Sequence, residues 1–196
     1  MSTPADFGNI LSEIQMNQDE IDYVVNQIKN MPSKGLMVEW GCGGSTCKWL
    51  ESLEGDQKLI SVDHNETWYN RVTRAIKAHF GDVSDKFKFY HIPEQFDFEH
   101  GYGHFLEEHP LGTNNYLLPP DDRWFDADIF FIDGIARATC ALVTLFKHTK
   151  KNPVIFIHDY VGREVWYSWA SQFYDVEIIG DPEKNSTLAR LHIKNA

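Results

Sequence analysis

The chain is short of the features that would take it out of the ordinary globular class. Its three cysteines, Cys42, Cys47 and Cys140, are too few and too scattered for a disulfide framework or a four-ligand zinc site. That scarcity points to a reducing, cytoplasmic setting. No apolar run is long enough to span a bilayer, and the polar opening MSTPADFGN has no signal-peptide core, so no membrane partner is expected. Positive charge is also scarce: 18 Lys and Arg stand against 29 Asp and Glu, for a net charge of −11. A nucleic acid held by its phosphates needs the opposite field. Even the best basic cluster, Arg71, Arg74 and Lys77 along one helical face, reads as a solvated surface. A small-molecule partner suits this chain better. Repeats and low-complexity linkers are absent as well, and 196 residues with 42% hydrophobic content suit a single domain over 1–196.

What is present is rhythm. Ile10, Ile14, Ile21, Val24, Val25 and Ile28 fall close to helical spacing, which predicts an N-terminal helix within residues 1–34, closed by Pro32 and Gly35. Strands follow in LMVEW, KLISVDH, KFKFYHIP, DADIFFIDG and PVIFIHDY, with helical stretches between most of them. The stretch GREVWYSWASQFY predicts one more helix, and DVEIIGD and TLARLHIK then follow with no helix between them. Alternating strands and helices imply a parallel sheet covered on both faces. Two strands joined by a short turn pair antiparallel. The expected fold is therefore a doubly wound, Rossmann-like α/β sheet of seven strands, mostly parallel, with a C-terminal antiparallel hairpin. Residues 94–124 break the rhythm; aromatic, histidine-bearing and aperiodic, they read as a lid-like insertion.

In such sheets ligands bind beyond the carboxyl ends of the strands, at the switch point. The first strand ends there in EWGCGGST, an acid followed by three glycines within four positions. Gly41 and Gly43 permit a sharp turn and a close approach of ligand to backbone. The second strand ends in Asp63, at the distance where a carboxylate can accept both hydroxyls of a ribose. A dinucleotide site would want a third glycine where Thr46 stands, and Glu39 suits a cationic ligand better than a pyrophosphate.

These residues resemble the class I S-adenosylmethionine-dependent methyltransferases. VEWGCGGST is similar to their first motif, SVDH to their second-strand acid and DIFFIDG to their fourth-strand motif, and the closing strand pair resembles theirs. The resemblance implies methyl transfer from S-adenosylmethionine to a small molecule, at oxygen. It would set Glu39 near the cofactor's amino group, Gly41, Gly43 and Ser45 along its amino-acid end, and Asp63 on the ribose. His64 and Trp68 would lie by the adenine, with Trp68 equally able to be core, and Glu94 would be a further candidate there. Asp133 would face the cofactor from the end of the fourth strand.

Asp133, His158 and Asp159 end the fourth and fifth strands and could converge as oxygen and imidazole ligands for a divalent metal such as magnesium. The pattern resembles the metal-dependent O-methyltransferases, but His158-Asp159 replaces their usual acidic pair and Ile135 stands where another acid is expected. Without a metal, His158 is the candidate general base, with His100, His104 and His109 as alternatives and Asp133 and Asp159 beside it. Arg137 could hold an anionic group or sit on a helix surface. Two other functions use the same features: a non-catalytic binder of the cofactor, and an NAD-dependent oxidoreductase.

Overall fold

The computed structural model describes residues 9–93, 114–181, 183 and 185–194. Seven strands form one sheet: β1 (Leu36–Trp40), β2 (Lys58–Asp63), β3 (Phe87–His91), β4 (Ile129–Ile132), β5 (Val154–Ile157), β6 (Tyr174–Ile178) and β7 (Ala189–Ile193). Their order is β3-β2-β1-β4-β5-β7-β6. The five strands from β3 to β5 pair in parallel, and β7 runs antiparallel between β5 and β6. This is the expected fold, hairpin included. The order reverses between β1 and β4, so the switch point lies beyond Trp40 and Ile132.

Both faces of the sheet are apolar because successive side chains point to opposite sides. Met37, Leu59, Phe131 and Phe156 pack under α1 (Gln18–Lys29), α2 (Gly44–Ser52) and α3 (Glu66–Phe80). Val38, Trp40, Ile60, Phe130 and Ile155 pack under α5 (Arg137–Lys147) and the segment carrying α4 (Asn114–Leu117) and Trp124. Trp40 and Trp124 meet edge to face at 4.8 Å, an arrangement that favours ring contact beyond area burial. No helix among the described residues is long and apolar enough to cross a membrane.

Three expectations change. The N-terminal helical pattern is interrupted, and α1 begins only at Gln18, because Asn17 and Glu20 form a reciprocal capping box. The helix expected over 162–174 is reduced to α6 (Glu164–Tyr167) and a 3₁₀ turn at Ala170–Gln172. Ser168 and Ser171 donate their hydroxyls to the carbonyls of Val165 and Ser168 (2.8 Å each), competing with the backbone for those acceptors. Of the insertion, 94–113 lies outside the described residues, and with it Glu94, His100, His104 and His109. Its remainder is ordered as α4 and the turn Trp124–Asp126.

Glu20 also joins distant parts of the fold. Fully buried, its carboxylate accepts from the backbone N–H of Asn17 (2.9 Å), Thr187 (2.6 Å) and Leu188 (2.7 Å). Asn17 reinforces the joint by donating to Ser186 Oγ at 2.6 Å. Hydrogen bonds to a charged group are the stronger kind, and removing the acceptor strands buried donors. Glu20→Ala is expected to lower unfolding free energy by about 3 kcal/mol, read as a lower midpoint in urea denaturation at unchanged slope.

Candidate functional site

The glycine turn is built around Glu39. In β1 it pairs in register with Ser61 of β2, so one polar residue faces another inside two apolar strands. The Glu39 carboxyl is wholly buried and accepts from Ser61 Oγ (2.7 Å), Thr46 Oγ1 (2.7 Å) and Ser45 Oγ (3.2 Å). Thr46 Oγ1 in turn accepts from the N–H of Gly43 (3.0 Å). Thr46 thus stands at the last-glycine position because its hydroxyl ties the turn to β1. Burial raises the Glu39 pKa to about 8; the three hydroxyl hydrogen bonds oppose that shift and the charge of Asp133 adds to it.

Gly41 has φ +90, and a Cβ there would come within 2.5 Å of the Gly134 backbone nitrogen. The close approach at Gly41 is therefore that of the loop after β4. At Gly43 an added Cβ would meet only Ser45 Oγ, at 4.0 Å, so bare backbone faces open space.

Asp63 holds the same turn from β2. Its two oxygens accept from the N–H of Cys42 and of Asn65, each at 2.6 Å. Burial, with the charge of Asp63 next, raises the pKa of the Cys42 thiol and keeps it protonated. His64 sits 3.7 Å from Asp63, and its pKa is lowered chiefly by burial. Trp68 packs on the core beneath Arg71, whose guanidinium lies 4.9 Å from the ring centroid and pairs with Glu13 at 2.7 Å.

Asp133, His158 and Asp159 do converge, with ligand-type atoms within 4.8 Å of one another. A cation is already among them. Arg137 donates to the carbonyls of Gly134 (2.9 Å), His158 (2.6 Å) and Asp133 (3.1 Å). It also pairs with Asp159 Oδ2 (2.9 Å) and Asp133 Oδ1 (3.2 Å), while Arg163 reaches Asp159 Oδ2 at 3.3 Å. Two carboxylates balanced by two guanidinium groups leave no charge for a dication to neutralise. The donor set does not fit a divalent metal. It fits an oriented imidazole: His158 Nδ1 lies 2.8 Å from Asp133 Oδ1, and its buried Nε2 has no hydrogen-bond partner. Burial works against the imidazolium, but the hydrogen bond and charge of Asp133, with Asp159, outweigh it and raise the His158 pKa. The loops here are strained as well: Ala136 and Asp159 hold φ of 56 and 55 without being glycine.

Tyr116 lies across the switch point. Its ring meets His64, just past β2, edge to face at 6.0 Å, and its hydroxyl fills the place of a Cβ on Gly134, just past β4. A cleft of about 520 Å³ opens at the opposite pole of the sheet, among Lys34, Lys58, Asp85, Lys86, Arg123 and Asp128.

This architecture is shared with solved methyltransferases. A methyltransferase-like protein from Silicibacter pomeroyi superposes with TM-score 0.72 at 20% identity, over 93% of this chain and 88% of that one. A methyltransferase from Geobacter sulfurreducens gives 0.60 at 14% identity, covering 98% and 92%. A Podospora anserina methyltransferase bound to SAH gives 0.62 at 12% identity, covering 97% and 87%. No protein-family model and no curated protein matches the sequence. The chain has the class I methyltransferase fold.

Three residues carry more of the site than the sequence suggests. Ser61 was signalled by its lone polarity in a buried strand. Arg137 follows a turn where a surface residue looks identical in sequence, and Tyr116 sits in the aperiodic insertion.

Glu39 makes stability depend on pH. Its carboxyl titrates near 4.5 when exposed and at about 8 in the fold, so the native state retains a proton that the unfolded chain releases. The contribution is complete below the lower value and lost as pH rises through the upper one. Wild-type unfolding free energy is expected to fall by on the order of 5 kcal/mol across that window. Glu39→Gln, neutral throughout, is expected to flatten the profile in urea titrations.

Proposed function

We propose that the protein is an S-adenosylmethionine-dependent methyltransferase acting on a small molecule, at oxygen. The observation that carries this reading is the glycine turn and Asp63 held together at the switch point of the class I fold. The open backbone at Gly43 fits the amino-acid end of the cofactor, and Asp63, whose carboxylate oxygens have further lone pairs, fits its ribose. When bound, the cofactor supplies a methyl group already activated on a sulfonium.

What remains for the chain is to hold the acceptor in line, exclude water and take up a proton. His158 is the group for the last task. Asp133 orients Nδ1, leaving Nε2 for the acceptor hydroxyl, and the raised pKa makes the neutral imidazole a stronger base. Arg137 fixes both loops that carry this pair. A net charge of −11 and an uncharged bare-backbone face favour a small neutral acceptor over a polyanion. A non-catalytic cofactor binder is the second reading, favoured by the burial of His158, which is 2% exposed with its Nε2 closed off from solvent.

S-adenosylhomocysteine is expected to raise the melting temperature and NAD to leave it unchanged. At a hundredfold excess over Kd the stabilisation is about 2.7 kcal/mol, and chelator leaves the shift intact. His158→Gln is expected to lower kcat by roughly 100-fold with homocysteine-compound affinity preserved. In the wild type the rate falls as pH drops below the raised His158 pKa, because the base is then protonated. A measured pH–rate profile tests this, and Asp133→Asn should move its midpoint downward.

A further inference from the structure

Five of the six large hydrophobic side chains left exposed among the described residues belong to one region. They are Phe146 (73%) near the end of α5, then Val165 (75%), Trp166 (61%), Trp169 (37%) and Phe173 (42%) on the run from α6 to β6. Exposed hydrophobes scattered singly are ordinary, whereas a contiguous group marks a binding surface. Val165, Trp169 and Phe173 recur every fourth residue. The backbone stays in the right-handed helical region at Ser168, Trp169 and Phe173, which brings them to one side. Phe146 joins them from α5, its ring 6.5 Å from that of Phe173.

This strip is held firmly from beneath. Tyr167 and Ala170 are buried, and Tyr167 stacks on Tyr160 at 5.1 Å. Tyr174, next after Phe173, donates its hydroxyl to the Ala141 carbonyl of α5 at 2.7 Å. A fixed frame presents the exposed side chains, so little ordering remains to be done on association. Since an aromatic side chain offers 150–250 Å² of surface, the exposed fractions leave roughly 500 Å² of apolar area. A stable interface buries about 800 Å² per partner, about 65% of it apolar in homodimers. The strip supplies the apolar share of one such face.

Charge points to what covers it. Strands β5 and β6 run the same way, because β7 is antiparallel to both. Glu164, soon after β5, therefore lies toward the ligand-facing pole, and Lys147, beside Phe146, toward the opposite one. Both are exposed, and neither has an ion-pair partner among the described residues. A twofold axis across the strip sets Glu164 of each copy against Lys147 of the other, at the two ends of an apolar centre. The same face has no such match in an anionic bilayer, which repels a chain of net charge −11.

We propose that the strip is the seam of a twofold homodimer, with the aromatic side chains at its centre and the Glu164–Lys147 pairs at its rim. The proposal is independent of the methyltransferase reading. Arg163 lies 5.7 Å over the Trp166 ring and pairs with Asp159, so the seam borders the loop that follows β5.

Sedimentation equilibrium on the full chain is expected to give a mass near twice the 22.7 kDa of one chain at micromolar concentrations. Trp166→Glu and, separately, Phe146→Glu put a charge into the apolar centre, and each is expected to weaken the dimer by ~100-fold. Both side chains are on the surface of a single copy, and far-UV circular dichroism verifies that each variant folds. Glu164→Lys alone is expected to weaken association by about fivefold, and adding Lys147→Glu to restore it. A monomer mass throughout, or a dimer indifferent to both Trp166→Glu and Phe146→Glu, overturns the seam. Failure of the second charge swap to restore association overturns the twofold arrangement and the proposal with it. Cosedimentation of a monomer with phosphatidylcholine vesicles, lost in Trp166→Glu, assigns the strip to a bilayer and overturns the dimer.

Discussion

One buried carboxyl organises the ligand-facing pole. Glu39 draws hydroxyls from β2 and from the first turn of α2 onto β1, and through Thr46 it reaches the backbone of the glycine turn. That hub ties the turn, which leads from β1 into α2, to both β1 and β2 from its buried side. Asp63 completes the frame from the other side by holding the amide of Cys42. The polar groups are fully partnered inside an apolar shell, which is the condition under which a buried network specifies one geometry. Sequence motif and packing are here the same object: the acid, the glycines and the hydroxyls serve the shape of the turn before they serve any ligand.

The neighbouring loops use a different solution to the same problem. Where a divalent ion could have gathered Asp133, His158 and Asp159, Arg137 does so with a guanidinium that reaches three carbonyls and two carboxylates. A covalent cation is always present and never exchanges. It also leaves the imidazole free of ligation, with its Nε2 uncommitted. Arginine therefore fixes the geometry of the site without consuming the imidazole that Asp133 orients.

Most of the fold is legible in the sequence because five strands are short apolar runs separated by helical spacing, and because the last two lack a helix between them. Helix ends are less legible. Asn17 and Glu20 carry a capping signal, but the apolar period runs straight through it from Ile14 to Ile21. The ends of the strands name the site residues, since the switch-point rule needs only sheet order. It does not give their partners. That Glu39 and Asp63 spend hydrogen bonds on nearby hydroxyls and backbone amides, and that Asp133 turns His158, depends on contacts between residues 25 or fewer apart in sequence but on, or just past, different strands. Tyr116 lies 76 residues from the tryptophan that anchors it, beyond the reach of any local pattern.

The bond from Glu20 to Thr187 and Leu188 closes a loop of 167 and 168 residues. On the ribosome, helix α1 emerges before the hairpin that its carboxylate is placed to hold. At ordinary elongation rates the wait is roughly 10–30 s. Over that interval the apolar flank of α1 and the sheet face beneath it have no locked arrangement, and the nascent chain is open to capture by chaperones. The final clasp comes only after residue 188 has cleared the exit tunnel, so the seam between α1 and the segment leading into β7 is a late-closing part of this fold.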